Sequence, residues 1–161
     1  MPTQTNIEGK RILVVDDEVD VLDSVIGLLS MCRVDSARTF DEARDKLENN
    51  FYDIVILDIM GVDGFQLLKI ARRKELLTIM LTAHALSPMN IAKSFYEGAV
   101  SFIPKEKMVE LPTLLSEIWE TAEKRKDALW NLWVDQFDSF LEKRFGPEWK
   151  QKVDKNPPEE G

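Results

Sequence analysis

Strand-like apolar runs alternate with stretches of helical period along residues 11–124, and this alternation constrains the fold more than any other feature. Residues 12–15 and 54–57 are apolar at every position, the pattern of strands covered on both faces. Shorter strand-like runs at 34–37, 78–81 and 100–103 bring the set to five. Between them lie segments with apolar residues spaced for one helix face. The first starts near residue 18 and carries Val21, Leu22, Val25, Ile26, Leu28 and Leu29. The second spans 41–49, with Thr39 or Asp41 as its cap. The third, 64–74, carries Phe65, Leu67, Leu68, Ile70 and Ala71. The fourth opens at Ser87-Pro88, runs to about residue 97 and is closed by Gly98. The fifth begins near Leu111-Pro112. Strict alternation of this kind predicts an α/β fold with a doubly wound five-stranded parallel sheet.

A chain of 161 residues has room for one such domain plus an appendage. The apolar share of 44% and charged share of 31% are those of a soluble globular protein, and a cytoplasmic location is expected. A net charge of −8 argues against binding to nucleic-acid phosphates or anionic membranes, so neither is expected as a partner. The single cysteine, Cys32, permits no internal disulfide and reads as a small core hydrophobe beside Leu28, Leu29 and Met31. Residues 1–6 hold no apolar signal region, and no apolar stretch approaches a membrane span.

In a doubly wound sheet, ligands bind beyond the carboxyl ends of the strands. Four of those ends carry chemistry here: Asp16-Asp17, Asp58, Thr82 and Lys105. Two or three convergent carboxylates suit a hard divalent cation such as Mg2+. A central carboxylate can act as a nucleophile toward phosphorus, forming an acyl phosphate. An ammonium and a hydroxyl can hold the phosphoryl oxygens by charge and by hydrogen bond. Each residue alone also has a plain reading, since Asp is common in turns after strands and Thr ends many of them. Their shared register is what points to chemistry.

The segments Val14-Val15-Asp16-Asp17-Glu18, Ile56-Leu57-Asp58-Ile59-Met60 with Asp63-Gly64, Leu81-Thr82-Ala83, Gly98-Ala99 and Phe102-Ile103-Pro104-Lys105 together resemble the response-regulator receiver domains of two-component signalling. The resemblance implies a flavodoxin-like sheet in the order 2-1-3-4-5. It makes Asp58 the phosphoacceptor and Asp17 a direct Mg2+ ligand, with Asp16 supporting it. The backbone carbonyl of Met60 would complete the protein's share of the metal ligands. Thr82 and Lys105 would grip the phosphoryl group, and Phe102 would change rotamer as Thr82 moves. A sensor histidine kinase or a phosphotransfer protein is the implied partner. The chain departs from the family pattern in its loop after Asp58, about two residues short, and in Glu106 where proline is usual. The short loop bears directly on the Met60 ligand. His84, two residues past Thr82, is either an exposed loop residue or a modulator of acyl-phosphate hydrolysis.

The resemblance implies a signalling domain rather than an enzyme. A phosphatase of the dehalogenase type wants a second Asp two residues after the nucleophile, where this chain has Met60. The alternative is a receiver-like scaffold or dimerisation module that is never phosphorylated. The expected organisation is a receiver domain at 8–122, an aromatic-rich helical extension at 123–150 and a disordered tail at 151–161.

On a helix, Leu129, Trp130, Trp133, Phe137, Phe140 and Leu141 continue the apolar stripe of Leu111, Leu115, Ile118 and Trp119. One straight helix over 113–145 would be about 50 Å long, against about 30 Å for a small domain. Its aromatic half would then need a second protomer, or the chain would have to break near 124–127 and fold back. The absence of glycine and proline at 124–127 favours the unbroken helix paired in a homodimer or with a helical partner. Gly146-Pro147 marks its end.

Overall fold

The computed structural model describes residues 5–83 and 87–154. It consists of a five-stranded parallel sheet in the order β2-β1-β3-β4-β5, built from β1 (Arg11–Val15), β2 (Arg33–Ala37), β3 (Ile54–Leu57), β4 (Leu77–Thr82) and β5 (Ser101–Pro104). The connecting helices are α1 (Val19–Leu28), α2 (Phe40–Asn49), α3 (Gly64–Arg73) and α4 (Pro88–Tyr96), with α5 (Leu111–Lys124) after β5. The predicted alternation is therefore present, with element ends shifted by a residue or two. No helix among the described residues is long and apolar enough to cross a membrane.

The local chemistry explains where these helices begin. Thr39 caps α2, its hydroxyl accepting from the Glu42 amide at 3.1 Å. Ser87 caps α4 by accepting from the Asn90 amide, and Pro88 occupies the first turn, where no amide donor is needed. The compact link from α3 to β4 is made by Glu75, which turns the chain with φ 59°. All four residues of β3 are buried, as are Ile12 to Val15 in β1, so the two central strands form the core. The predicted face of α1 is narrower than its sequence suggests: Leu22, Val25 and Leu29 are buried, while Ile26 remains exposed.

Cys32 is half-buried, and its thiol donates to the Ile7 carbonyl at 3.3 Å. Burial pushes this thiol up to about 11. It is therefore expected to react with a thiol reagent at neutral pH at least tenfold more slowly, in rough terms, than an exposed cysteine titrating near 8.5. Comparing native and denatured chain with a chromogenic disulfide measures this, and equal rates would refute it.

The C-terminal region departs from the favoured expectation. Instead of one helix over 113–145, α5 stops at Lys124 and Arg125 adopts an extended conformation with φ −153° and ψ 92°. A 3-10 turn at Lys126–Ala128 leads into α6 (Leu129–Phe145), and α7 (Trp149–Asp154) follows. No glycine or proline is needed at the break. The charged run Glu123 to Asp127 has little apolar surface to bury, and Arg125 pairs locally with Asp127 at 2.9 Å. Folding back lets the aromatic stripe bury itself: Leu129, Trp133, Phe137 and Leu141 are all buried without a second protomer. The argument for a dimer from an uncovered stripe falls with the straight helix. Residues 151–154, expected in the tail, are helical in α7, while 155–161 lie outside the described residues.

Candidate functional site

The parallel register brings the carboxyl ends of β1, β3, β4 and β5 to one edge of the sheet. Asp16 is held there by its amide, which donates to the Ala37 carbonyl at 3.1 Å, and Asp58 by its own amide to the Val15 carbonyl at 3.0 Å. Asp16, Asp17 and Asp58 each place a carboxylate oxygen within 4.8 Å of the other two. Asp16 and Asp58 are buried and Asp17 is exposed, so the cluster opens to solvent on one side.

Lys105 enters from the end of β5 with a side chain only 11% exposed, which leaves its ammonium facing the carboxylates. Its Nζ lies 2.9 Å from Asp16 Oδ2, 2.9 Å from Glu18 Oε1 and 3.8 Å from Asp58 Oδ2. Thr82, at the end of β4, is fully buried and its Oγ1 completes no hydrogen bond. That hydroxyl nevertheless lies close enough to Asp58 to favour the ionised carboxylate.

Burial is the main influence on Asp58 and holds its carboxyl above the usual 3.8; the nearby Asp16 carboxylate pushes the same way, while Thr82 and Lys105 partly offset both. Asp16 is also raised, again chiefly by burial, against the opposing pull of the Glu18 amide and of Lys105. For Lys105, burial disfavours the ammonium, but the hydrogen bonds to Asp16 and Glu18 and the charges of Asp58 and Asp16 together outweigh it and raise it. An ammonium shared by three carboxylates stays charged.

This set fits a hard cation. Three carboxylates at one point carry more negative charge than one lysine neutralises, and a buried hydroxyl without a partner has hydrogen-bonding capacity left over. The short loop after Asp58 is packed tightly to make room. A Cβ on Gly61, whose φ is 85°, would run into the Asp17 carboxylate, and a Cβ on Gly64 would collide with the Asp58 backbone carbonyl. Asp63 turns the chain with φ 53°, and the Gly64 amide donates to the Ile59 carbonyl at 3.0 Å. Gly64→Ala is therefore expected to destabilise the fold by at least about 2 kcal/mol. Gly27→Ala, at a mid-helix position with nothing within 4 Å, is expected to stabilise it by about 0.5 kcal/mol. Thermal unfolding of the two variants checks the opposite signs.

Of the residues singled out in the sequence, Asp16, Asp17, Asp58, Thr82 and Lys105 converge at one sheet edge. Met60 is 55% exposed, and the role expected of it belongs to its backbone carbonyl. Phe102 is buried in β5. His84 lies outside the described residues. The residue without an assigned role is Glu18, which binds Lys105 as closely as Asp16 does. The third acid in Asp16-Asp17-Glu18 was the available signal.

A three-carboxylate, lysine and hydroxyl cluster at the carboxyl edge of a 2-1-3-4-5 sheet defines a doubly wound α/β domain with its candidate ligand site at the strand ends. Residues 12–118 match the response regulator receiver domain, and the chain belongs to that family. It is 35% identical over 104 residues to the two-component response regulator ARR18 of Arabidopsis thaliana, covering 60% of this chain and 16% of that protein. It is 32% identical over 120 residues to ARR10 of the same plant, covering 70% of this chain and 21% of the relative. The chain thus spans about a fifth or less of these curated relatives. Among solved structures, a CheY-like receiver domain protein from Methanospirillum hungatei superposes with a TM-score of 0.63 at 31% identity, covering 74% of this chain and 98% of that one. The response regulator TrrA from Thermotoga maritima, solved in complex with Mg2+ and BeF, gives 0.58 at 31% identity, covering 67% and 97%.

Proposed function

We propose that this chain is a phosphoacceptor receiver whose Asp58 takes a phosphoryl group from the phosphohistidine of a sensor kinase or phosphotransfer protein. The observation that carries this reading is the Asp58 carboxylate, flanked by the Lys105 ammonium at 3.8 Å and by the unpartnered Thr82 hydroxyl. A carboxylate oxygen of Asp58 attacks phosphorus, the P–N bond breaks, and the imidazole leaves with its electron pair. Lys105 leaves its carboxylate partners to pair with a phosphoryl oxygen, and Thr82 donates its hydroxyl to another. Asp16, Asp17, Asp58 and the Met60 carbonyl would hold Mg2+, which supplies charge neutralisation at the carboxylates and at the incoming phosphoryl oxygens. The Mg2+ complex of the TrrA relative supports that choice of ion.

Output in this reading is binding, not turnover. Recruitment of Thr82 and movement of Phe102 would repack the surface of α4, β5 and α5, shifting a two-state equilibrium seen by partners. In this reading residues 8–122 are the receiver unit, and the extension that follows, expected at 123–150, runs on through α7 to Asp154.

The test is incubation with acetyl phosphate and Mg2+, followed by intact mass and peptide mapping. One phosphoryl group per chain, on the Asp58 peptide, is expected. No adduct would favour the unphosphorylated scaffold, and sustained turnover of acetyl phosphate would favour a phosphatase.

A further inference from the structure

β5 is an edge strand, paired with β4 on one side only. Its outward carbonyls need partners or water, and a bare edge is a liability. In this chain the edge is covered from within. Trp133 of α6 is 1% exposed and donates its Nε1 hydrogen to the Phe102 carbonyl at 2.8 Å, a fully buried bond. Its ring lies 4.8 Å from that of Phe95 on α4, 5.4 Å from Trp130 and 5.5 Å from Trp149 on α7. α6 packs on β5 and α5, while α7 packs on α4. Polar contacts finish the seam. Gln136 donates to Glu117 of α5 at 2.9 Å, and Arg144 pairs with Glu106 at 3.0 Å. The extension thereby occupies the surface that phosphorylation would repack.

We propose that α6–α7 is a self-docked clamp on the α4–β5–α5 surface, coupled with opposite sign to phosphorylation of Asp58. The proposal rests on the phosphoacceptor reading above. Its physical basis is the single backbone unit shared by the two ends: Phe102 is buried on one side, and its carbonyl anchors Trp133 on the other. The clamp fits β5 as it stands when Thr82 is without a partner and Lys105 is tied to Asp16 and Glu18. A ligand shifts an equilibrium only by its differential affinity for two states, and this one is shaped to the resting state. Any adjustment of Thr82 and Phe102 toward a phosphoryl group therefore loosens α6–α7. By reciprocity, a loosened clamp makes phosphorylation easier. Release would bare Phe95, the β5 edge and the indoles of α6.

The experiment uses the whole chain. Hydrogen exchange followed by mass spectrometry, with and without Mg2+ and beryllofluoride, should show α6 and α7 amides exchanging about tenfold faster in the loaded state, while β1 and β3 amides do not change. Trp133→Phe keeps a ring but removes the donor, and should lower the acetyl phosphate needed for half-maximal Asp58 phosphorylation by about threefold. Unchanged or slower exchange in α6–α7 alongside normal phosphorylation would overturn the clamp and leave the phosphoacceptor reading intact. An unaltered phosphorylation curve for Trp133→Phe would do the same. Failure of both chains to take up any phosphoryl group would overturn both readings together.

Discussion

Asp58→Asn is expected to abolish phosphoryl uptake and, in the same variant, to raise the midpoint of thermal unfolding. The first result follows from losing the nucleophilic carboxylate, for which an amide is no substitute. The second follows from electrostatics. Asp58 is 5% exposed and sits beside Asp16, and burial holds its carboxyl above 3.8, so the folded chain disfavours the ionised form. Neutralising it relieves a cost on the order of 1 kcal/mol, or about 3 °C for a chain of this size. The sign depends on pH. The cost is present in full above the raised folded value and fades as pH falls through that value toward 3.8, because the folded chain then takes the proton more readily than the unfolded one. The advantage of Asn should therefore be largest at neutral pH and shrink in acid. Mg2+ should stabilise the native chain by about 1.4 kcal/mol at ten times its dissociation constant, and the variant by less. Scanning calorimetry at two pH values, with and without Mg2+, checks each part. A lowered midpoint at neutral pH would show that Asp58 serves the fold and not a site.

Trp133→Ala is the variant with the largest expected loss of stability, about 3–5 kcal/mol. Removing the indole empties the centre of a cluster formed by Phe95, Trp130, Phe137 and Trp149, with ring centroids 4.8–6.2 Å away. It also leaves the buried Phe102 carbonyl without its donor, which adds to the loss. Because this cluster joins α6 and α7 to α4 and β5, the loss should appear first as rapid hydrogen exchange in those helices, with β1 and β3 still protected. Trp119→Ala is the internal comparison. That ring is half-buried and has Lys10 over its face at 4.5 Å, and its loss should cost under about 2 kcal/mol. Equal effects at the two positions would show that Trp133 is not the anchor.

The sheet was legible because its signal is written twice, once in apolar runs and once in the polar residues that end them. Ile54 to Leu57 can only be a doubly covered strand, and Asp58 can only leave it at the ligand-binding edge. The meeting of Asp16, Asp17, Asp58, Thr82 and Lys105 followed from topology alone, since parallel strands deliver their ends to one place. The ion pair from Glu18 to Lys105 was not legible in the same way. It depends on how the chain turns into α1, where the Glu18 amide bonds Asp16 Oδ1 at 2.9 Å and the side chain returns toward β5. The break at Arg125 was missed for a different reason. Intrinsic helix propensity across Glu123 to Asp127 is good, so local sequence argues for continuation. What breaks the helix is the gain from burying Trp133 and Phe137 on the chain's own β5 and α5, a tertiary effect that no window of residues displays.

The covered margin of β5 has a consequence for any shortened version of this protein. A fragment ending at Lys124 would keep every residue of the acidic cluster and Lys105 beside it. It would also expose an unpaired strand margin beside the ring of Phe95, the kind of surface on which identical molecules add to one another. The acidic cluster and the cover over the β5 margin thus reside in different parts of the polypeptide.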